Sequence, residues 1–386
     1  MKFATQVVTI IAFIFLSPPL HGADNDAKAP KQFQVILKGI NEHSFTPIQR
    51  SLDRNELTAR IYGIRPVDVE VMKVFDENFW QIVQEVFNGV STSVESGIKG
   101  ELVHFEFKDG VGRAVVRFRQ PQYEYEYHDF QLRHDSRGRL KIVDFLSYNA
   151  GQTLSAEVSE FLMVVLPSKG ATRRLVKAIN VTDRELFQLT EILKAARDRD
   201  MARFFEIYDD LPEGLQREML IAKFAALIAL SGRDADRFTK TFPIFQELFE
   251  GNPDFSLLLT DLLLRLQEYE KGYESLLKFH DRLAIKEGAT PARLSALALA
   301  LGKRQEAEQY AVEATMNEPT LELGWWSLLR ARSTAGNFAG ATEVLTHLEN
   351  DFGHKLDAAK LKRDRFRGFI RLAASQEFRD WRASRE

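Results

Sequence analysis

The chain is 386 residues long, 45% hydrophobic and 28% charged, with a formal net charge of −3 and no cysteine. That length accommodates two domains, each with a core of its own. The near-balanced charge gives no reason to expect nucleic acid as a partner, and the missing thiols exclude disulfides, thiolate metal sites and cysteine nucleophiles.

At the start, Lys2 precedes an unbroken apolar run from Val7 to Leu16, and Ser17-Pro18-Pro19 then breaks any helix. Small Gly22 and Ala23 follow where a signal peptidase would cut, so residues 1–23 are expected to be a cleaved export signal. The run is about half of the ~20 residues a membrane helix needs. Leu20 or His21 at the −3 position makes the cleavage site imperfect, which keeps an uncleaved anchor as the alternative. No cysteine follows for a lipid anchor, and no later stretch is apolar enough to span a membrane. Asp24 to Pro30 is polar and reads as disordered.

In the first domain, residues 28–150, helices precede strands. Phe45 to Tyr62 carries Ile48, Leu52, Leu57 and Ile61 on one side and predicts a single helix. Pro66 suits the first turn of a second, where Val71, Phe75, Phe79, Ile82 and Val86 recur at helical spacing up to Gly89. From Glu101 the period falls to two, and Asp109-Gly110 marks a turn. Val111 to Arg119, Glu124 to Leu132 and Leu140 to Leu146 are the next strands. Pairing Arg119 with Glu124 sets Arg117 opposite Glu126, Phe118 opposite Tyr125 and Val116 opposite Tyr127. Salt bridges then share one face and aromatics the other, so this register is expected.

Helices followed by a curved antiparallel meander resemble the cystatin-like, nuclear-transport-factor-like α+β fold. The resemblance implies a cone-shaped space between helix and sheet. His104, His128 and His134 are expected to face solvent in a charged hairpin, not to converge on a metal. Tyr123, Tyr125 and Tyr127 are expected to be sheet core with hydroxyls reaching the rim, lining of a ligand pocket being the alternative. No cofactor is expected.

Residues 151–181 form a link, with a helix from Leu154 to Leu166 and a break at Pro167-Ser168-Lys169-Gly170. Thr182 and Glu185 make a capping box. Beyond it the strand signal disappears, and short amphipathic helices run over residues 182–375. Two hexamers, Gly302 to Ala307 and Gly336 to Ala341, lie 34 residues apart and both place alanine five residues after glycine. The glycine suits a positive φ at a helix end, and the alanine lets the next helix approach closely.

This period and pattern resemble the tetratricopeptide-repeat family over about residues 180–355. Trp325, Leu328 and Leu345 take the family's positions in the last repeat, and Leu294, Ala311, Ala314 and Pro319 in the one before. Gln267 to Gly272 marks an earlier turn displaced by one residue, and Gly232 and Pro253 a more degenerate one. Leu329 and Arg332 depart from the pattern, standing where the family prefers glycine and an aromatic.

The resemblance implies an all-α solenoid whose first helices line a groove for a segment of a partner protein. The groove positions map to Trp326 and Arg330, to Ala292, Ala296 and Leu299, and to Leu257, Asp261 and Leu264. Trp326 is the expected anchor, with packing against a terminal helix as its alternative, and Trp325 is expected in the core. The tail from Lys355 to Glu386, with ten Lys or Arg against five Asp or Glu, reads as a helix sealing the array.

Serine-hydrolase, zinc-protease and phosphate-loop motifs are absent from the sequence, and no enzyme activity is expected. The leading expectation is an exported adaptor or scaffold of a bacterial envelope or periplasm that binds a protein partner. Two alternatives stay open: a small-molecule binder or enzyme using the first domain's pocket, and a structural envelope component that self-associates as a homo-oligomer.

Overall fold

The computed structural model describes residues 22–42, 44–64, 67, 69–90, 98–119, 125–165, 182–198, 200–232, 234–249, 251–364 and 366–385. Residues 1–21 of the expected export signal, Tyr123 and the break at 167–170 lie outside them. No helix of the described residues is long and apolar enough to cross a membrane.

Four helices open the first part: α1 (Gly22–Asn41), α2 (Phe45–Ser51), α3 (Arg54–Ile64) and α4 (Val69–Val90). The disorder expected over Asp24 to Pro30 is overturned, because those residues belong to α1. Ala29, Phe33, Ile36, Leu37 and Ile40 of α1 are buried, and burial of this stripe offsets the weak helix propensity of the polar first turns. The single helix expected over Phe45–Tyr62 is two. Leu52 leaves it to bridge Ile142, and the Asp53 amide donates to the Ile142 carbonyl (2.8 Å). The Asp53 side chain then accepts from the Glu56 amide (3.1 Å), restarting the helix.

Five antiparallel strands follow in sequential order: β1 (Gly100–Lys108), β2 (Val111–Arg119), β3 (Tyr125–His134), β4 (Leu140–Ser147) and β5 (Gln152–Thr153). Helix α5 (Leu154–Val165) closes this part. One face of the sheet carries Ala114, Val116, Phe118, Phe130 and Phe145 against the helices. The other face carries Val115, Tyr125, Tyr127, Leu146 and Tyr148, which share a core with the helices of the second half.

The two covered faces explain a correction. Arg119 pairs with Tyr125, Phe118 with Glu126, Arg117 with Tyr127 and Val116 with His128, one residue away from the expected register. That expectation assigned one face to water, where charges would prefer to stand opposite each other. With neither face in water, Arg117 turns to Glu287 and Glu318 of the second half and to Glu101 of β1, and Glu126 lies on the helix side beside His128 (2.6 Å). His128, expected at the surface, is 0% exposed among Phe118, Phe130 and Phe145.

The second half is all helical. Helix α6 (Asp183–Arg197) begins with the expected capping box and is followed by α7 (Met201–Asp209) and the short α8 (Glu213–Gln216). Then come the pairs α9 (Met219–Ser231) and α10 (Ala235–Phe249), α11 (Ser256–Arg265) and α12 (Tyr269–Leu283), α13 (Ala289–Ala300) and α14 (Arg304–Asn317), and α15 (Glu322–Ala335) and α16 (Phe338–Asn350). The expected single terminal helix is three short ones: α17 (Ala358–Arg363), α18 (Arg367–Ala374) and α19 (Gln376–Ala383). Phe369, Leu372, Phe378 and Trp381 seal the last pair, while Ile370 is exposed.

Three inter-helix turns share one geometry. Glu268, Lys303 and Asn337 each donate their amide to the carbonyl five residues back, of Leu263, Ala298 and Arg332, the long bond of a Schellman cap. Gly302 and Gly336 hold φ of 74° and 82°, as their glycines predict. Five residues on, Ala307 and Ala341 are fully buried. In the third turn Gly272 fills that small-residue place, where a Cβ would come 2.9 Å from Leu264, but the left-handed residue is Gln267, at φ 63°. An exposed non-glycine there costs about 1–2 kcal/mol, partly offset by glycine's greater freedom when unfolded. Gln267→Gly is therefore expected to raise stability by about 0.5–1 kcal/mol in urea unfolding; a loss would show that the side chain has a role of its own.

Polar bonds join neighbouring pairs as well: Tyr273 donates to Glu306, Lys303 to Glu270 and Arg293 to Asp261, all three tying the pair α11–α12 to the pair α13–α14. Such nearest-neighbour contacts are what hold a repeat array together.

Candidate functional site

The last helix pair and the tail enclose a cleft of about 380 Å³ lined by Trp326, His354, Leu356, Lys360, Leu361, Arg363, Asp364 and Phe369. Helix α15 brings Trp326 to it. The indole Nε1 donates to Glu322 (2.7 Å), one turn earlier, and His354 Nε2 lies 2.7 Å from the same carboxylate. Burial pushes the Glu322 carboxyl up, but the hydrogen bonds from Trp326 and His354 outweigh it and hold the group below its usual range. The indole meets the His354 ring edge-on at 5.2 Å and Phe369 at 6.3 Å. It is only partly buried, so Trp326 both packs on the tail and borders an open cleft. Arg330, one turn on, lies 3.8 Å from Asp364.

The other expected groove residues divide by burial. Ala296 is exposed, and Leu299, Leu264 and Asp261 are half-buried; Asp261 is held by Arg293 at 2.7 Å. Leu257 is buried in the shared core; Ala292 is also buried, and its carbonyl accepts from Ser327 of the following repeat (3.4 Å). Trp325 is partly buried, stacked on His347 at 4.2 Å with its Nε1 donating to the Pro319 carbonyl.

A second cluster joins the two halves. Arg117, its side chain 2% exposed, points from β2 into the rim where the paired helices end. Nη1 donates to Glu287 (3.1 Å) and Glu318 (2.7 Å), and Nη2 to Glu318 (2.6 Å) and Glu101 (2.8 Å). Glu287 also accepts from the Tyr127 hydroxyl (3.1 Å) and from the Ala289 and Thr290 amides that open α13. Burial raises the Tyr127 phenol well above its ordinary value, and the Glu287 charge adds to that, so the hydroxyl stays a donor. Nearby, Arg113 spans Asp129 and the Leu283 carbonyl, while Tyr148 donates to Asp129. Tyr125 and Tyr127 are therefore interface core, their hydroxyls turned toward the repeats.

Burial acts to raise the Glu318 carboxyl, but the Arg117 hydrogen bonds and charge and the Gly288 amide prevail, and it stays below its usual 4.5. A carboxylate whose pKa is lowered by folding contributes stability above its unfolded value and loses it as pH falls through the folded one. Acid unfolding is thus expected to set in below pH 4.5, and Glu318→Gln is expected to flatten that limb in a fluorescence titration. An unchanged limb would remove Glu318 from the linkage.

Sequence reasoning missed this cluster, because Glu287 and Glu318 lie far from Arg117 along the chain and belong to loops between repeats. The one available signal was the run Ala114-Val115-Val116, which is apolar on both parities and so marks a strand covered on both faces.

The helix pairs resemble tetratricopeptide repeats. No protein-family model matches the chain, and the comparison with curated proteins returns no match. Among solved structures, a MamA chain from MSR-1 is 14% identical with a TM-score of 0.35, covering 44% of this chain and 94% of its own. A MamA chain from AMB-1 is 15% identical with a TM-score of 0.36, covering 46% and 97%. PilW, a type IV pilus biogenesis factor, is 14% identical with a TM-score of 0.33, covering 52% and 99%. At these scores the likenesses carry no functional argument.

Proposed function

We propose that this chain is an exported adaptor of a bacterial envelope that holds a protein segment along the first helices of its repeat array. The observation that carries this reading is Trp326, an oriented and partly open indole bordering a cleft at the end of the array, with Arg330 one turn away. Buried aromatics and arginines dominate binding energy at protein interfaces. The half-buried and exposed positions Ala296, Leu299, Asp261 and Leu264 extend the surface along earlier repeats, and Leu257 and Ala292 support it from below. In this reading the sheet domain braces the array at Lys223 of α9 and around the start of α13, and leaves the end cleft beside α15 for the partner.

Crosslinking pull-downs from envelope extracts test it. Trp326→Ala with Arg330→Glu is expected to remove one or two specific partners while the circular dichroism spectrum is kept. If every co-purifying protein persists, the groove reading is wrong.

One observation favours a second reading, a small polar ligand held between the two parts. The Tyr125 hydroxyl is buried without a hydrogen-bond partner and lines a cavity of about 250 Å³ together with Arg119 and Thr320. Melting shifts of the full chain against a metabolite panel, lost in Tyr125→Phe, would support it.

A further inference from the structure

The end cleft is chemically two-sided. Its floor is apolar, formed by Leu356, Leu361, Phe369 and one face of Trp326. Its lip is cationic: Lys360 and Arg363 line it from α17, and Arg330 approaches from α15. These cations have few counter-charges. Among the described residues Arg363 forms no ion pair, and Lys360 donates to the Lys355 carbonyl (2.8 Å). Arg330 meets Asp364 at a loose 3.8 Å with both side chains about two-fifths exposed (42% and 40%). Glu322 is already engaged by Trp326 and His354, and Asp357 by the Lys360 amide that it caps. Lys355, Lys362 and Arg367 add exposed positive charge around the same end.

An apolar floor under a cationic lip discriminates by charge. A bulky side chain seated beside Trp326 brings its flanking residues onto Lys360 and Arg363. Carboxylates there gain from cations that few counter-charges neutralise, whereas lysines or arginines would be repelled. Resting on the adaptor reading, we infer that the segment bound at this end is acidic and carries a bulky apolar side chain.

The test is a display selection with random peptides on the full-length chain, counter-selected against Trp326→Ala. Peptides enriched in a Trp326-dependent way are expected to be net negative with one large apolar residue. Their binding, read by fluorescence anisotropy, should weaken about tenfold or more when Lys360→Glu and Arg363→Glu are combined, and should fall with added salt. Both positions are exposed, so the double variant should fold, and circular dichroism checks this. Enrichment of neutral or basic peptides, or binding indifferent to the double variant, overturns the acidic-segment inference and leaves the adaptor reading standing. Failure to enrich any Trp326-dependent peptide overturns both.

Discussion

Arg117→Leu is expected to lower the stability of the whole chain by about 3–5 kcal/mol, the range found when one member of a buried ion cluster is removed. The size follows from what would remain. Glu287 and Glu318 converge on the same guanidinium, and Glu287 is itself 3% exposed. Without the cation a buried carboxylate, Glu287, and a partly buried one, Glu318, face each other, so their repulsion and much of the desolvation cost lose their main compensation. Arg117→Lys keeps the charge but cannot serve Glu101, Glu287 and Glu318 at once, and should fall between. Adding Glu287→Gln and Glu318→Gln to Arg117→Leu should recover a large part of the loss, because the orphaned charges go with the cation. Urea unfolding of the four proteins decides the matter. A triple variant no better than Arg117→Leu would mean that lost packing, not stranded charge, is the cause.

Gly151→Ala is expected to be nearly as harmful, at about 2–4 kcal/mol, for a different reason. Gly151 follows β4 at φ 72°, a conformation that alanine adopts at a cost. Its missing side chain also leaves the place taken by the Phe255 ring, which an added Cβ would strike. Phe255 is buried and lies 4.1 Å from Phe249, centroid to centroid, so it has little room to yield. Gly110→Ala is the control. Its φ is 80°, yet nothing lies within 4 Å of an added Cβ, so it should lose about 1 kcal/mol from strain alone. If the two variants lose equally, the collision with Phe255 is not felt and the first domain sits more loosely on the repeats.

What was legible in the sequence and what was not divides by distance along the chain. Strand β2 was read with its observed ends, and β4 to within one residue, since period-two alternation and Asp109-Gly110 are local signals. The Thr182–Glu185 box and the Gly302 and Gly336 turns are local too, and each is found where its residues place it. The strand register was misread because it depends on what covers the sheet, and the cover on one side comes from loops more than 150 residues away. The same holds for α1, whose polar first turns are helical because a buried stripe further along holds them. At the end cleft, Trp326 was visible through the repeat resemblance, which assigns it to the groove. Its partners His354 and Phe369 were not, because tail residues reach it only through the fold of α17 and α18.

The sheet domain meets the array at many points along one side. Gln152 and Glu157 reach Lys223 of α9, Gly151 meets Phe255 before α11, Arg113 takes the end of α12, Tyr127 the start of α13, and Arg117 the loop after α14. An isolated stack of repeats is a row of dominoes, in which each unit answers only to its neighbours and the row can fray from either end. Here one rigid plate is fastened across several dominoes at once. Loosening one repeat then strains the fastenings of the others, so the middle of the array gains cooperativity that nearest-neighbour packing does not supply. Beyond these fastenings lie the last pair and its tail, and that is where the open cleft is found.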